Sequence, residues 1–199
     1  MGFSTPTATT STGDDTTSLI HRMDGGAMGI DSEIANDKST LRREWIFLND
    51  PALPVCFVIQ KQMSGLAMPC NAGVKTGKTF NGHSYDWEYS VRSVLRTSVG
   101  LAAIEIRHLT FDVWGDHVRT LSATEIADKE ADSLVVTDGT WKIFTDNEPW
   151  HFYASISYVA QIRTSDGKVL KANYDAVVRE AQRFSERFTA EQLEPTKSK

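Results

Sequence analysis

The chain has 199 residues, 40% of them hydrophobic and 24% charged, with a formal charge of −5. That length and composition describe one globular domain able to bury a core, and they exclude a collagen-like, wholly disordered or membrane-spanning chain. The mild acidity argues against a general nucleic-acid binder, and it resides almost wholly in residues 1–40, which sum to −4 against −1 for residues 41–199.

Residues 4–18 read STPTATTSTGDDTTS, a run dominated by Ser and Thr. Such a run buries too little apolar surface to offset its ordering entropy, so residues 1–40 are expected to form a disordered polar tail, with a breaker at Gly25-Gly26-Ala27-Met28-Gly29. The start lacks the basic residues and apolar run of a secretory leader, which makes the cytoplasm the expected location. The folded domain is expected over residues 41–199. Glu44–Leu48 reads as a strand ended by Asn49-Asp50-Pro51, and Val55–Ile59 as a short buried strand carrying Cys56 as a small hydrophobe. Cys56 and Cys70 match no zinc or redox spacing and are read as reduced thiols.

Residues 61–83 are loop-rich. From residue 84 to 97 the chain alternates, with Tyr85, Trp87, Tyr89, Val91 and Leu95 opposite Asp86, Glu88, Ser90, Arg92 and Arg96, which predicts a half-exposed strand. In residues 102–113, Ile104 and Ile106 have one parity and Leu109, Phe111 and Val113 the other, predicting a bulge or a change of sheet near Arg107-His108. Trp114-Gly115-Asp116 turns into a strand at His117–Ser122. Between residues 150 and 162 every even-numbered position is apolar, from Trp150 to Ile162, the pattern of one strand face. Ser165-Asp166-Gly167 then supplies a turn into a returning strand at 168–172. Tyr174, Val177, Val178, Ala181, Phe184 and Phe188 form an apolar stripe that predicts a closing helix over residues 173–190, capped by Asn173.

Many strands with short turns and no helical crossover predict an all-β fold: an antiparallel, immunoglobulin-like β-sandwich with one C-terminal amphipathic helix. The run Ile104–Asp112, followed by Gly115 and a returning strand, resembles the strand–Asp–Gly-turn–strand unit of small bacterial immunoglobulin-like accessory domains. The resemblance implies an accessory or interaction module and carries over no functional residue.

Several motifs invite a chemical reading. Ala72-Gly73-Val74-Lys75-Thr76-Gly77-Lys78-Thr79 fits a relaxed phosphate-loop pattern, with Gly77 at the phosphates, Lys78 reaching them and Thr79 holding magnesium. That chemistry needs a strand before and a helix after, and the flanking residues suit neither. The segment is read as a flexible basic hairpin loop, with a nucleotide- or metal-binding enzyme using loop 61–83 as the alternative. Asp146, Glu148 and His151, and separately Asp112, Asp116 and His117, bring metal-ligand types together without a known spacing and are read as turn residues, so no metal and no cofactor are assigned. No G-x-S-x-G elbow occurs and no catalytic residue is assigned.

Contact surface is the remaining possibility. The chain has five Trp, four expected on apolar strand faces and one, Trp114, in a turn, where it either folds back over the domain or serves as a contact. The Trp content also keeps a carbohydrate-binding module as an alternative. Arg179, Arg183 and Arg187 recur every four residues and are expected to line one face of the helix, either simply solvated or docking an acidic partner. The reading is therefore a non-catalytic protein-interaction or assembly subunit with a protein partner or a second copy of itself, no nucleic acid and no membrane span.

Overall fold

The computed structural model describes residues 20–25, 43–58, 70–76, 79–80, 83–84, 87–143 and 152–196. These residues are mostly β, with a single α-helix among them. The strands are β1 (Ile20–Gly25), β2 (Arg43–Leu48), β3 (Val55–Phe57), β4 (Asn71–Thr76), β5 (Thr79–Phe80), β6 (His83–Ser84), β7 (Trp87–Thr97), β8 (Leu101–Phe111), β9 (His117–Lys129), β10 (Leu134–Ile143), β11 (Ala154–Thr164) and β12 (Val169–Lys171). A helix, α1 (Tyr174–Ala181), and a 3₁₀ turn at Ala190–Leu193 close the chain. A large sheet runs β1-β2-β11-β8-β9 with β12 also on β11; a smaller one runs β10-β7-β3 with β4 also on β7; β5 and β6 pair separately.

The parity of the sequence sets two faces on the large sheet. Trp45, Phe47, Ile104, Ile106 and Val159 share one buried cluster with Val55, Phe57, Tyr89, Val91 and Leu95 of the small sheet. Their neighbours of opposite parity, Ile46, Leu48, Leu109, Phe111, Ile156 and Tyr158, share a second cluster with Val177 and Ala181 of α1 and with Phe188 and Leu193 beyond it. A strand buried on both faces reads as continuous apolar text, which explains β8. Its residues do not change sheet at Arg107-His108. Ile104, Ile106 and His108 point at the small sheet, Leu109 and Phe111 at the C-terminal segment, and both ladders run in register from Arg107 to Leu109.

The bulge lies instead on β11, where the register with β8 skips Ala160 between Val159 and Gln161. One extra residue reverses the faces. Ala154, Ile156, Tyr158 and Ala160 belong to the outer cluster, whereas Ile162, also even-numbered, belongs to the inner one.

The structure corrects four further expectations. The fold is not antiparallel throughout, because β2 and β11 pair in parallel from Ala154↔Glu44 to Tyr158↔Leu48; among the described residues the crossover joining them is made mostly of strands. Residues 20–25, inside the expected tail, pair antiparallel with β2, so backbone bonds rather than an apolar pattern define that edge strand. The rest of residues 1–40 lies outside the described residues. The helix does not reach residue 190: it ends at Ala181, after which Gln182 Nε2 donates to the Phe188 carbonyl and the chain continues in turns. Cys56 is exposed and Cys70 buried, because β3 alternates Val55 in, Cys56 out and Phe57 in. Burial pushes the Cys70 thiol up to about 11, the bonds to Val94 and Val58 opposing it.

Candidate interaction surface

The turn between β8 and β9 is built around Asp112. Its Oδ1 accepts from the backbone N–H of Trp114 (2.9 Å) and of Asp116 (2.8 Å), while the Gly115 N–H donates to the Asp112 carbonyl. Gly115 has φ +85°, and a Cβ there would sit 2.1 Å from the Phe184 carbonyl oxygen. Glycine is therefore required twice, for the left-handed backbone and for the close approach. Asp112 and Asp116 are turn-forming residues in this arrangement, and no grouping of three or more His, Cys, Asp or Glu side chains suited to a metal ion occurs among the described residues.

The consequence for Trp114 is exposure. Its side chain is 81% accessible, on a turn with three defining hydrogen bonds. The Gly115–Phe184 contact places Trp114 and Arg183 each one residue away from the same point. Arg183 Nη1 donates to Glu180 Oε1 at 2.7 Å, and that carboxylate is buried, so the guanidinium is tethered while remaining exposed. Arg179 is exposed in the last turn of α1. Arg187 is exposed too, but on the turns that follow the helix, so the three arginines do not form a row on one helix.

The segment carrying Arg183 and Arg187 is held to the large sheet by two polar fastenings that the sequence reading missed. Arg107, buried in β8, donates Nε to Glu105 (2.7 Å) and Nη1 to the Leu193 carbonyl (2.9 Å) and to Glu194 (3.2 Å). Burial alone would raise the Glu105 carboxyl, but the Arg107 bond and charge, with bonds from Gln161 and Ser122, hold it below its ordinary value. The second fastening is His117. Its ring packs edge-on against Phe188 (5.1 Å) and Phe111 (5.7 Å), its Nε2 meets Thr120 Oγ1 at 3.0 Å, and its Nδ1 meets Gln192 Nε2 at 3.3 Å. Thr196 adds a backbone bond to Thr120. A charged residue inside the apolar stretch of β8 was the available signal for Arg107; nothing local marks His117 as more than a turn histidine.

The face toward the small sheet holds a different polar seam. His108 Nδ1 meets Ser157 Oγ at 2.7 Å, its ring packs against Trp141 at 5.1 Å, and Tyr89 donates to Ser155 Oγ at 2.8 Å. All but Trp141 are buried. Burial pushes His108 down to about 3, so it is neutral at ordinary pH. Gly139 makes the room for Trp141, since a Cβ there would lie 2.2 Å from its ring. Of the other tryptophans, Trp45 is buried, and the side chains of Trp87 and Trp150 lie outside the described residues.

The segment read as a flexible basic hairpin loop, with a phosphate loop as the alternative, has another geometry. Residues 72–76 are extended in β4, paired with β7, and Thr79 lies in β5, paired with Ser84. No helix follows Thr79 among the described residues, and Gly77 and Lys78 lie outside them. Asp146, Glu148 and His151 also lie outside them. No described helix is long and apolar enough to cross a membrane. Comparison with known proteins matches no family model, no curated protein and no solved structure.

Proposed function

We propose that the protein is a non-catalytic interaction subunit that docks an acidic protein partner on the surface formed by Trp114, Arg183 and Arg187, with Arg179 at its margin. The carrying observation is the exposed Trp114 on a turn held by Asp112 and by the Gly115–Phe184 contact. An aromatic side chain presented on a rigid support loses little freedom on binding, which is why such residues dominate interface energetics. The Arg183 guanidinium, tethered to Glu180 and one residue from the Phe184 carbonyl that Gly115 meets, offers charge complementarity and a planar donor fork on the adjoining segment. Two sheets sharing one core support the sandwich reading, and the resemblance to bacterial immunoglobulin-like accessory domains agrees with a binding role. The parallel β2–β11 pair and the covered outer face depart from that plan.

The test is capture from native extract on the immobilised full chain. The reading expects a partner with an acidic contact surface, retained by the wild type and reduced at least tenfold by Trp114→Ala and by Arg183→Glu. A partner held equally by all three proteins, or a strictly monomeric protein that retains none, contradicts it.

A further inference from the structure

We infer that His117 is a proton-sensitive latch that fastens the C-terminal segment, residues 182–196, to the large sheet, so that protonation releases the segment and disassembles the surface made with Trp114. Gln192 Oε1 accepts from the Thr189 backbone N–H at 2.9 Å, which fixes the orientation of the amide and turns its NH₂ toward His117. That NH₂ can only donate, so His117 Nδ1 must accept at 3.3 Å and carry no proton. The ring hydrogen is then on Nε2 and is donated to Thr120 Oγ1 at 3.0 Å. Thr120 in turn donates its own hydrogen to the Gln192 carbonyl. The chain Thr189 → Gln192 → His117 → Thr120 → Gln192 runs in one direction, and it needs an Nδ1 that carries no proton.

A proton on Nδ1 sets two donors against each other at that contact. It also places a charge between Phe111 and Phe188, where burial already holds the His117 pKa below its usual value despite the backbone bond at Arg119. The titratable groups on the elements around the ring are Asp112 and Asp116 in the turn, Glu105, Arg107 and His108 on β8, Arg119, Glu125, Asp128 and Lys129 on β9, and Arg183, Glu186, Arg187, Glu191 and Glu194 on the segment. None of their side chains makes a hydrogen bond or ion pair with the ring. Glu194 is instead engaged by Arg107.

The sign follows from linkage. The released histidine titrates near 6.5 and the latched one lower, so the latch is at full strength above about pH 6.5 and weakens as pH falls below it. One proton limits the effect to about a tenfold rise in the opening equilibrium per pH unit. The segment carries Arg183 and Arg187, and its Phe184 carbonyl abuts Gly115. Opening therefore separates the arginines from Trp114. That consequence rests on the proposed docking surface; the latch itself does not.

The test needs no partner. Amide hydrogen exchange of the full chain is compared at pH 7.5 and 5.5 after correction for intrinsic rate, alongside His117→Gln, His117→Phe and Gln192→Glu, with His117 titrated by NMR. Exchange of residues 188–196 is expected to speed by up to about tenfold at pH 5.5 in the wild type, with β8 and β11 unchanged, and to lose that pH dependence in both His117 variants. Gln192→Glu supplies an acceptor for a protonated Nδ1 and is expected to raise the His117 pKa and to remove the acid release. Equal exchange at both pH values, pH dependence retained in the His117 variants, or acceleration spread over the whole domain overturns the latch. If the latch holds while partner capture is insensitive to Trp114→Ala, the docking reading alone fails.

Discussion

The two faces of the large sheet are closed in different ways. The inner face is covered by another sheet, and its polar groups, His108–Ser157 and Tyr89–Ser155, form uncharged pairs far from water. The outer face is covered by one short helix and a run of turns, pinned by a buried arginine and by a half-exposed histidine. A sheet edge-locked by backbone bonds opens only with the whole domain, whereas a segment held by side chains can open locally. Moreover, part of the outer face is left bare. Ile126 is 75% and Val169 53% exposed, in one cross-strand row with Ala103 and Arg163 beyond the C-terminal cover. The inner face is thus closed by a second sheet, and the outer face by a segment pinned through side chains.

Truncating the outer cluster should give the largest loss. Phe111 stacks on Phe184 (5.3 Å) and tilts against Phe188 (5.8 Å), so Phe111→Ala should cost about 3–5 kcal/mol in urea unfolding. A loss below about 1 kcal/mol would mean that the C-terminal cover is not part of the cooperative core.

Breaking the charged fastening comes next. Arg107→Met leaves Glu105 nearly buried without its partner and frees the Leu193 carbonyl, and about 3 kcal/mol is expected from such a deletion. Adding Glu105→Gln should recover part of that, because the uncompensated charge is then gone. A double variant as unstable as the single one contradicts the assignment of the cost to Glu105.

Acid sharpens the contrast between the histidines. His108 is neutral in the folded protein down to about pH 3, whereas the unfolded chain takes up a proton near 6.5. Its contribution is complete above about pH 6.5 and declines as pH falls toward 3, by at most about 1.4 kcal/mol per unit. The difference in urea midpoint between pH 7 and pH 4.5 should shrink in His108→Asn. An unchanged difference would show that His108 is not what makes global stability acid-sensitive.

The smallest stability effect is expected at the proposed contact. Trp114→Ala removes an exposed side chain while leaving its backbone N–H bonded to Asp112, so stability should change by less than about 0.5 kcal/mol.

Much of this was legible in the sequence, for physical reasons that can be named. Period-two text located β7 and β11, Gly167 with φ +90° marked the β11–β12 turn, and the Asn173 side chain caps α1 by accepting from the Asp175 N–H. The illegible parts are those where tertiary contacts override local pattern. The single-residue bulge at Ala160 leaves the even-numbered stripe unbroken while reversing its face. The stripe through Phe184 and Phe188 continues past Ala181 although the helix does not, because both rings are drawn onto Phe111. In the candidate site, Trp114 and Arg183 were visible separately, but their juxtaposition depends on Gly115 meeting a carbonyl 69 positions later, which no local periodicity encodes.

Docking at the proposed Trp114 surface can be read directly by crosslinking. The most direct measurement places a photo-crosslinking amino acid at position 114, with a control at Val136, which is exposed on the small sheet. A defined adduct is expected from position 114 in native extract, absent from position 136 and lost when Arg183→Glu is added. Equal adducts at both positions, or an adduct at 114 indifferent to Arg183→Glu, would contradict it.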